Sequence, residues 1–160
     1  MQKVTIICVG KLKEKFYMDA AAEYEKRLSR FCKLEILELP EERLPENPSP
    51  ALIEAALARE AEAVTAHIPG GASVAALCIE GKLQSSEALA QYVSDAAGRG
   101  CSHLVFLIGS SFGMHPSLKQ KAALRLSMSP MTFPHHLARV MLLEQIYRAY
   151  QINAGSRYHK

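Results

Sequence analysis

The stretch HLVFLIG, residues 103–109, is the most strand-like part of the sequence and decides how the rest is interpreted. Its apolar residues are continuous, and it ends at a glycine followed by the loop SSFGMHP. A strand that is apolar on both faces belongs inside a parallel sheet, where helices cover both sides. The stretch therefore predicts an α/β protein with a buried parallel sheet.

The flanking sequence supports this prediction because strand-like and helix-like segments alternate. Further strands are predicted at 3–9, 33–39, 73–79 and 124–129. Helices are predicted at about 14–31, 51–68, 85–97, 116–123 and 134–150. Such alternation is typical of a parallel sheet with helices on both faces. No internal repeat or second domain is evident, so residues 1–160 are expected to form a single domain.

Composition excludes several classes of protein. With 49% hydrophobic and 22% charged residues, the chain resembles a folded globular protein rather than a disordered one. No apolar run approaches the roughly 18 residues of a membrane span, and the N-terminus lacks the features of a signal peptide. We therefore expect a cytoplasmic protein with no membrane association. The four cysteines are widely spaced without nearby histidines, so no metal site is expected.

Positive charge is concentrated at the C-terminal end of the chain. The net charge is +3 overall. From residue 134 onward the charged residues are Arg139, Arg148, Arg157 and Lys160 against the single acid Glu144. This modest excess favours an anionic partner.

Three predicted strand ends are candidate ligand sites, because parallel sheets bind ligands at the carboxyl ends of their strands. They are LCIEGK (77–82), IGSSFG (108–113) and SMSPMTF (127–133). The GSSFG turn matches neither the dinucleotide pattern G-x-G-x-x-G nor the phosphate-binding pattern G-x-x-x-x-G-K-[ST]. A nucleotide-dependent oxidoreductase is therefore disfavoured.

The loop SPMTFPHH, residues 129–136, carries two prolines and two adjacent histidines. Pro130 and Pro134 bias the residues before them toward extended backbone, which leaves Met131 and Thr132 in a stiff bridge. Such a bridge can hydrogen-bond a flat heterocycle while Met and Phe side chains pack on its faces. It can equally be a connector, with Thr132 near a helix N-cap and Pro134 in the first turn. The residues alone leave both interpretations open.

The last predicted helix has a broad apolar surface, which is typical of a subunit interface. That surface consists of Leu137, Val140, Met141, Leu143, Ile146, Tyr147 and Tyr150. Glu144 and Arg148 have the i, i+4 spacing of an ordinary ion pair. By position alone, the terminal residues 158–160 would be frayed.

The long C-terminal string LSMSPMTFPHHLARVMLLEQIYRAYQINAGSRYHK (126–160) resembles the RlmH family of small SPOUT-class methyltransferases. The segments IGSSFGM, LCIEGK and VGKLKEKF extend the resemblance over essentially the whole chain. It implies a parallel-sheet SPOUT fold with a C-terminal trefoil knot, a rare exception to the rule that protein chains are not knotted. It also implies a homodimer that uses S-adenosyl-L-methionine to methylate N3 of a pseudouridine in 23S ribosomal RNA.

The resemblance also implies functional residues. Its cofactor contacts fall on Leu77, Gly109, Met128, Ser129, Pro130, Met131, Thr132 and Phe133. Its catalytic or substrate-binding residues fall on Arg148, Tyr158, His159 and Lys160. The chain departs from the family's usual residues at Cys78, where an acid is common, and at Ser110, where a second glycine is common.

These implications give a mechanism that needs no metal. The imide N3 is a poor nucleophile until its proton leaves, and His159 is the candidate basic group in the tail. Arg148 or Lys160 could stabilise developing negative charge. With few basic residues and no added RNA-binding domain, the chain is expected to act on RNA within the ribosome rather than on short naked RNA. The alternative is a ribosome-associated RNA-binding factor without catalytic activity.

Overall fold

Five strands and five helices alternate along the chain, as the sequence predicts. A computed structural model describes residues 1–160. The elements are β1 (Lys3–Val9), α1 (Lys15–Leu28), β2 (Lys33–Leu39), α2 (Pro50–Ala66), β3 (Ser73–Leu83), α3 (Ser86–Gly98), β4 (His103–Ile108), α4 (Pro116–Lys121), β5 (Leu124–Ser127) and α5 (His135–Asn153). No helix combines the length and the apolar character needed to cross a membrane.

The strands form one sheet in the order β2-β1-β4-β3-β5, and every neighbouring pair is parallel. Lys3 in β1 lies opposite both Lys33 in β2 and His103 in β4, so these three strands start at the same level. The predicted parallel α/β fold is confirmed, with the HLVFLIG strand at its centre. All five carboxyl ends therefore meet at one edge of the sheet.

The side chains of β4 divide between two hydrophobic cores because successive residues of a strand point to opposite faces. Leu104, Phe106 and Ile108 pack with α1, α3 and α5. Val105 and Leu107 pack with α2 and α4. All five side chains are buried, which explains why this segment has no polar alternation.

Strand β3 continues beyond the predicted end at residue 79. Its pairing with β5 is interrupted, and both Leu77 and Lys82 pair with Leu126. The four residues between them therefore bulge from the carboxyl edge. A Cβ atom at Gly81 would lie 2.6 Å from the Arg125 carbonyl oxygen, so only glycine fits this close approach. The sequence EGK resembles a turn, which is why the prediction ended the strand too early.

Helix α5 packs between α1 and α3 within the same chain. Leu143 and Ile146 are completely buried there, so the prediction that they belong to a subunit interface is wrong. Covering two neighbouring helices requires a wider apolar surface than covering one. Only part of the broad face, such as the half-buried Val140 and Met141, remains accessible.

Arg139 anchors α5 to the ends of β1 and β2. Its guanidinium, 3% exposed, donates to Glu38 Oε2 at 2.7 Å and to the Gly10 carbonyl oxygen at 3.1 Å. A buried cation requires such partners. Arg139 is therefore an internal link and does not contribute to the basic surface that the sequence suggested.

Candidate functional site

A cavity of about 590 Å³ opens at the carboxyl edge of the sheet. It lies among the ends of β3, β4 and β5, the loop that follows β5, and the start of α5. Seven of the eight predicted cofactor residues line it, namely Leu77, Gly109, Met128, Ser129, Met131, Thr132 and Phe133. Pro130 does not line the cavity.

The loop between β5 and α5 forms one wall without regular secondary structure. Ser129 Oγ accepts the Met131 amide at 3.0 Å, while the amides of Thr132 and Phe133 have no hydrogen-bond partner within the chain. Pro134 is the N-cap of α5, and no side chain caps the helix. Thr132 is therefore not a capping residue. Of the two interpretations of this loop, the structure favours the stiff bridge, whose free backbone amides can donate to a ligand.

A tight turn after β4 forms the second wall. Ser110 and Gly113 exchange two backbone hydrogen bonds, of 3.1 and 2.9 Å, and Gly113 has a φ of +94° that favours glycine. A Cβ atom on Gly109 would overlap the carbonyl oxygen of Gly113. Ser110 is buried and no residue other than glycine has a positive φ, so serine fits this position without backbone strain.

The β3 side of the cavity carries a charged pair that the sequence did not reveal. Lys119 on α4 pairs with Glu80, and its hydrogen bond lowers the pKa of that carboxyl group. Burial, followed by the charge of Glu80, raises the pKa of the Cys78 thiol. Cys78 therefore stays protonated and is a neutral wall residue. Lys119 and Glu80 are 39 positions apart, so no local motif marks them.

His135 lines the opposite side of the cavity. Its half-buried ring makes no hydrogen bond within the chain. Burial, with a contribution from the neighbouring His136, lowers its pKa. The sequence showed the two adjacent histidines but gave no basis for assigning a role to either.

The C-terminal tail folds back onto α5 instead of fraying. The Tyr158 hydroxyl donates to Glu144 Oε1 at 2.7 Å, and Arg148 donates to the same oxygen at 3.0 Å. His159 bonds through Nδ1 to Arg148 Nη1 at 3.1 Å and through Nε2 to Glu87 at 2.6 Å. The predicted ion pair between Glu144 and Arg148 is confirmed, although it is partly buried.

The structure brings Arg148, Tyr158 and His159 together, but neither they nor the exposed Lys160 lines the cavity. A guanidinium can only donate, so His159 Nδ1 accepts and Nε2 donates to the carboxylate. Both ring nitrogens of His159 are therefore hydrogen-bonded within the chain. Met128 lines both the cavity and a smaller groove of about 370 Å³, which Glu144 also lines.

No group of three or more His, Cys, Asp and Glu side chains is arranged to hold a metal ion. A cavity with apolar walls and free backbone donors, at the carboxyl ends of parallel strands, is typical of α/β proteins that bind a small organic ligand. Residues 2–159 match a family model described as "Predicted SPOUT methyltransferase". The chain belongs to this SPOUT methyltransferase family.

Similar proteins support this assignment along the full length. A protein of Bifidobacterium adolescentis named Ribosomal RNA large subunit methyltransferase H is 52% identical over 99% of both chains. One of the same name from Streptococcus uberis is 48% identical over 99% of both. A probable methylase family protein from Haemophilus influenzae has a similar fold, with a TM-score of 0.55 over 99% of this chain and 71% of that one, at 11% identity.

Proposed function

We propose that this protein is an S-adenosyl-L-methionine-dependent methyltransferase that modifies N3 of a pseudouridine in 23S ribosomal RNA. The observation that carries the proposal is the similarity, at about half of all positions and over nearly the whole chain, to proteins named as large-subunit ribosomal RNA methyltransferases. Because ribosomal RNA is the proposed substrate, we also propose that the enzyme works in the cytoplasm.

The residues around the cavity fit the proposed cofactor. The apolar side chains of Leu77, Met128 and Phe133 can pack against an adenine ring, and the free amides of Thr132 and Phe133 can donate to its nitrogen atoms. We therefore propose that Leu77, Gly109 and residues 128–133 hold the cofactor. When bound, it supplies a methyl group carried on a sulfonium sulfur.

The wall residues contribute orientation and exclusion of water. The two prolines restrict the loop, so its donors are fixed before the ligand arrives and little conformational entropy is lost on binding. The close contact between Gly109 and Gly113 keeps the opposite wall in place. Holding the two reactants in line is the main contribution that an enzyme can make to methyl transfer.

We propose that Arg148, Tyr158, His159 and Lys160 act on the RNA, by binding phosphate groups or the target base. The hydrogen bond to Glu144 raises the pKa of Tyr158, so its hydroxyl stays protonated, and its oxygen remains available as an acceptor. Within one chain these residues lie apart from the cavity. This separation supports a homodimer in which a second copy completes the site.

We also propose that the chain is a single domain, residues 1–160, with a trefoil knot at its C-terminal end. The path of the chain supports the knot: β5 lies at the β3 edge of the sheet, and α5 then returns to pack between α1 and α3. Arg139, at the start of α5, binds the carbonyl group of Gly10, which follows β1. Strands β4 and β3 separate β1 from β5 in the sheet, so the chain crosses both between β5 and α5. The loop of residues 128–134 makes this crossing beside the turn after β4.

The test is methyl transfer to ribosomes from a strain that lacks this protein. Incubation with radiolabelled S-adenosylmethionine should label 23S ribosomal RNA at one pseudouridine, whereas ribosomes from the parent strain, already modified, should remain unlabelled. A short naked RNA should be a poor substrate, because few phosphate contacts are available. Ribosome binding without any label on the RNA would support the alternative of a non-catalytic factor.

A further inference from the structure

The two adjacent histidines at the start of α5 have different environments. His136 Nδ1 bonds to Glu14 Oε2 at 3.1 Å, and its ring packs edge-on against Tyr17. His135 has no hydrogen-bond partner and lines the cavity. The ring nitrogens of His135 are unbonded but not buried, so they are accessible to a molecule in the cavity.

His135 lies at the end of the cavity opposite to β3. Its Nε2 atom is beside Gly10, where a Cβ atom would be 3.8 Å away, and Gly10 follows β1. Leu77 lies on β3, and β4 separates these two strands in the sheet. The residues proposed to hold the cofactor come from β3, from β4 and from the loop after β5. His135 therefore lies at the end of the cavity nearest β1, away from Leu77.

We propose that His135 accepts the imide proton of the target base, an inference that rests on the proposed function. The N3–H proton passes to the unprotonated ring nitrogen of His135. The electron pair of the broken N–H bond stays on N3, which becomes the nucleophile that is methylated. The imidazolium then releases the proton to water.

The charges around His135 keep its ring neutral. Burial comes first, and the nearby His136 and Arg139 on α5 also lower its pKa, while Glu41 after β2 and Glu14 before α1 act in the opposite direction. The net shift is downward, so the ring can accept a proton throughout the physiological pH range. His159, by contrast, has both ring nitrogens occupied within the chain.

The test compares His135→Gln with the matched control His136→Gln. Single-turnover methylation of unmodified ribosomes is measured between about pH 7 and about pH 9, and cofactor affinity is measured separately by calorimetry. The wild type and His136→Gln should show a nearly constant rate. His135→Gln should be slower by about 10²–10⁴-fold, and its rate should rise about tenfold per pH unit, because hydroxide must remove the proton. All three proteins should bind S-adenosylmethionine equally.

A second variant, His135→Ala, tests for a chemical rather than a structural role. Added imidazole should restore part of its methylation rate without changing cofactor affinity. A wild-type rate and a flat pH profile for His135→Gln would overturn the inference, as would weaker cofactor binding with an unchanged pH profile. If the wild-type enzyme itself transfers no methyl group, the proposed function fails and this inference fails with it.

Discussion

Replacing Gly109 with alanine tests whether the turn after β4 builds the cofactor cavity. The added Cβ atom would overlap the Gly113 carbonyl oxygen, and this oxygen belongs to backbone that cannot rotate away. The turn must shift, and the two hydrogen bonds between Ser110 and Gly113 weaken. At about 0.5–1.5 kcal/mol for each bond, the loss of unfolding free energy should be about 1–3 kcal/mol.

The same shift displaces a wall of the cavity. We expect the affinity for S-adenosylmethionine to fall about 10- to 100-fold, which corresponds to about 1.4–2.8 kcal/mol. Calorimetric titration gives the affinity, and urea denaturation gives the stability. Gly98→Ala is the matched control, because a Cβ atom there would have no neighbour within 4 Å. It should lower neither the cofactor affinity nor the unfolding free energy by a comparable amount. If Gly109→Ala binds the cofactor as tightly as this control, the role of the turn is refuted.

Three further substitutions test the packing and the tail. Glu38→Gln removes the ionic partner of buried Arg139 and should cost about 2–3 kcal/mol at neutral pH, since Glu38 remains one-third exposed to screening solvent. Burial alone would raise the pKa of Glu38, but the hydrogen bond and charge of Arg139 lower it overall. The difference in unfolding free energy between the wild type and Glu38→Gln should therefore disappear as acid protonates Glu38. A difference that persists in acid would contradict the ion pair. Leu142→Ala in the completely buried part of α5 should cost about 2–5 kcal/mol in urea denaturation, and a cost below about 1 kcal/mol would contradict its place in the core. Tyr158→Phe should cost about 1 kcal/mol or less and should increase proteolysis of the tail, whereas an unchanged cleavage rate would mean that the hydroxyl does not hold it.

The sequence predicted the fold because local patterns and tertiary structure agree. The apolar run of β4 is buried on both faces, and such a run has few alternatives in a protein of this size. Errors occurred where tertiary contacts override local pattern. The bulge of β3 depends on the close approach of Gly81 to Arg125, two residues that are far apart in the sequence. The breadth of the apolar surface on α5 could not reveal that two helices of the same chain cover it.

The candidate site was predictable only in part. The rule that parallel sheets bind ligands at strand ends located all three walls of the cavity, and the stiffness expected from Pro130 and Pro134 singled out the loop after β5. The family resemblance then supplied the individual cofactor residues. The sequence could not show that His136 has a hydrogen-bond partner and His135 has none, because the partner, Glu14, is 122 positions from His136. Adjacent residues of the same type are distinguished only by what the fold places beside them.

The most direct test of the proposed cofactor site is a crystal structure of the protein with S-adenosylmethionine. The adenosyl group should lie between Leu77 and Gly109 on one side and residues 128–133 on the other, with hydrogen bonds from the amides of that loop. A cofactor bound elsewhere on the chain, or a cavity closed by its own side chains in the presence of saturating cofactor, would contradict it.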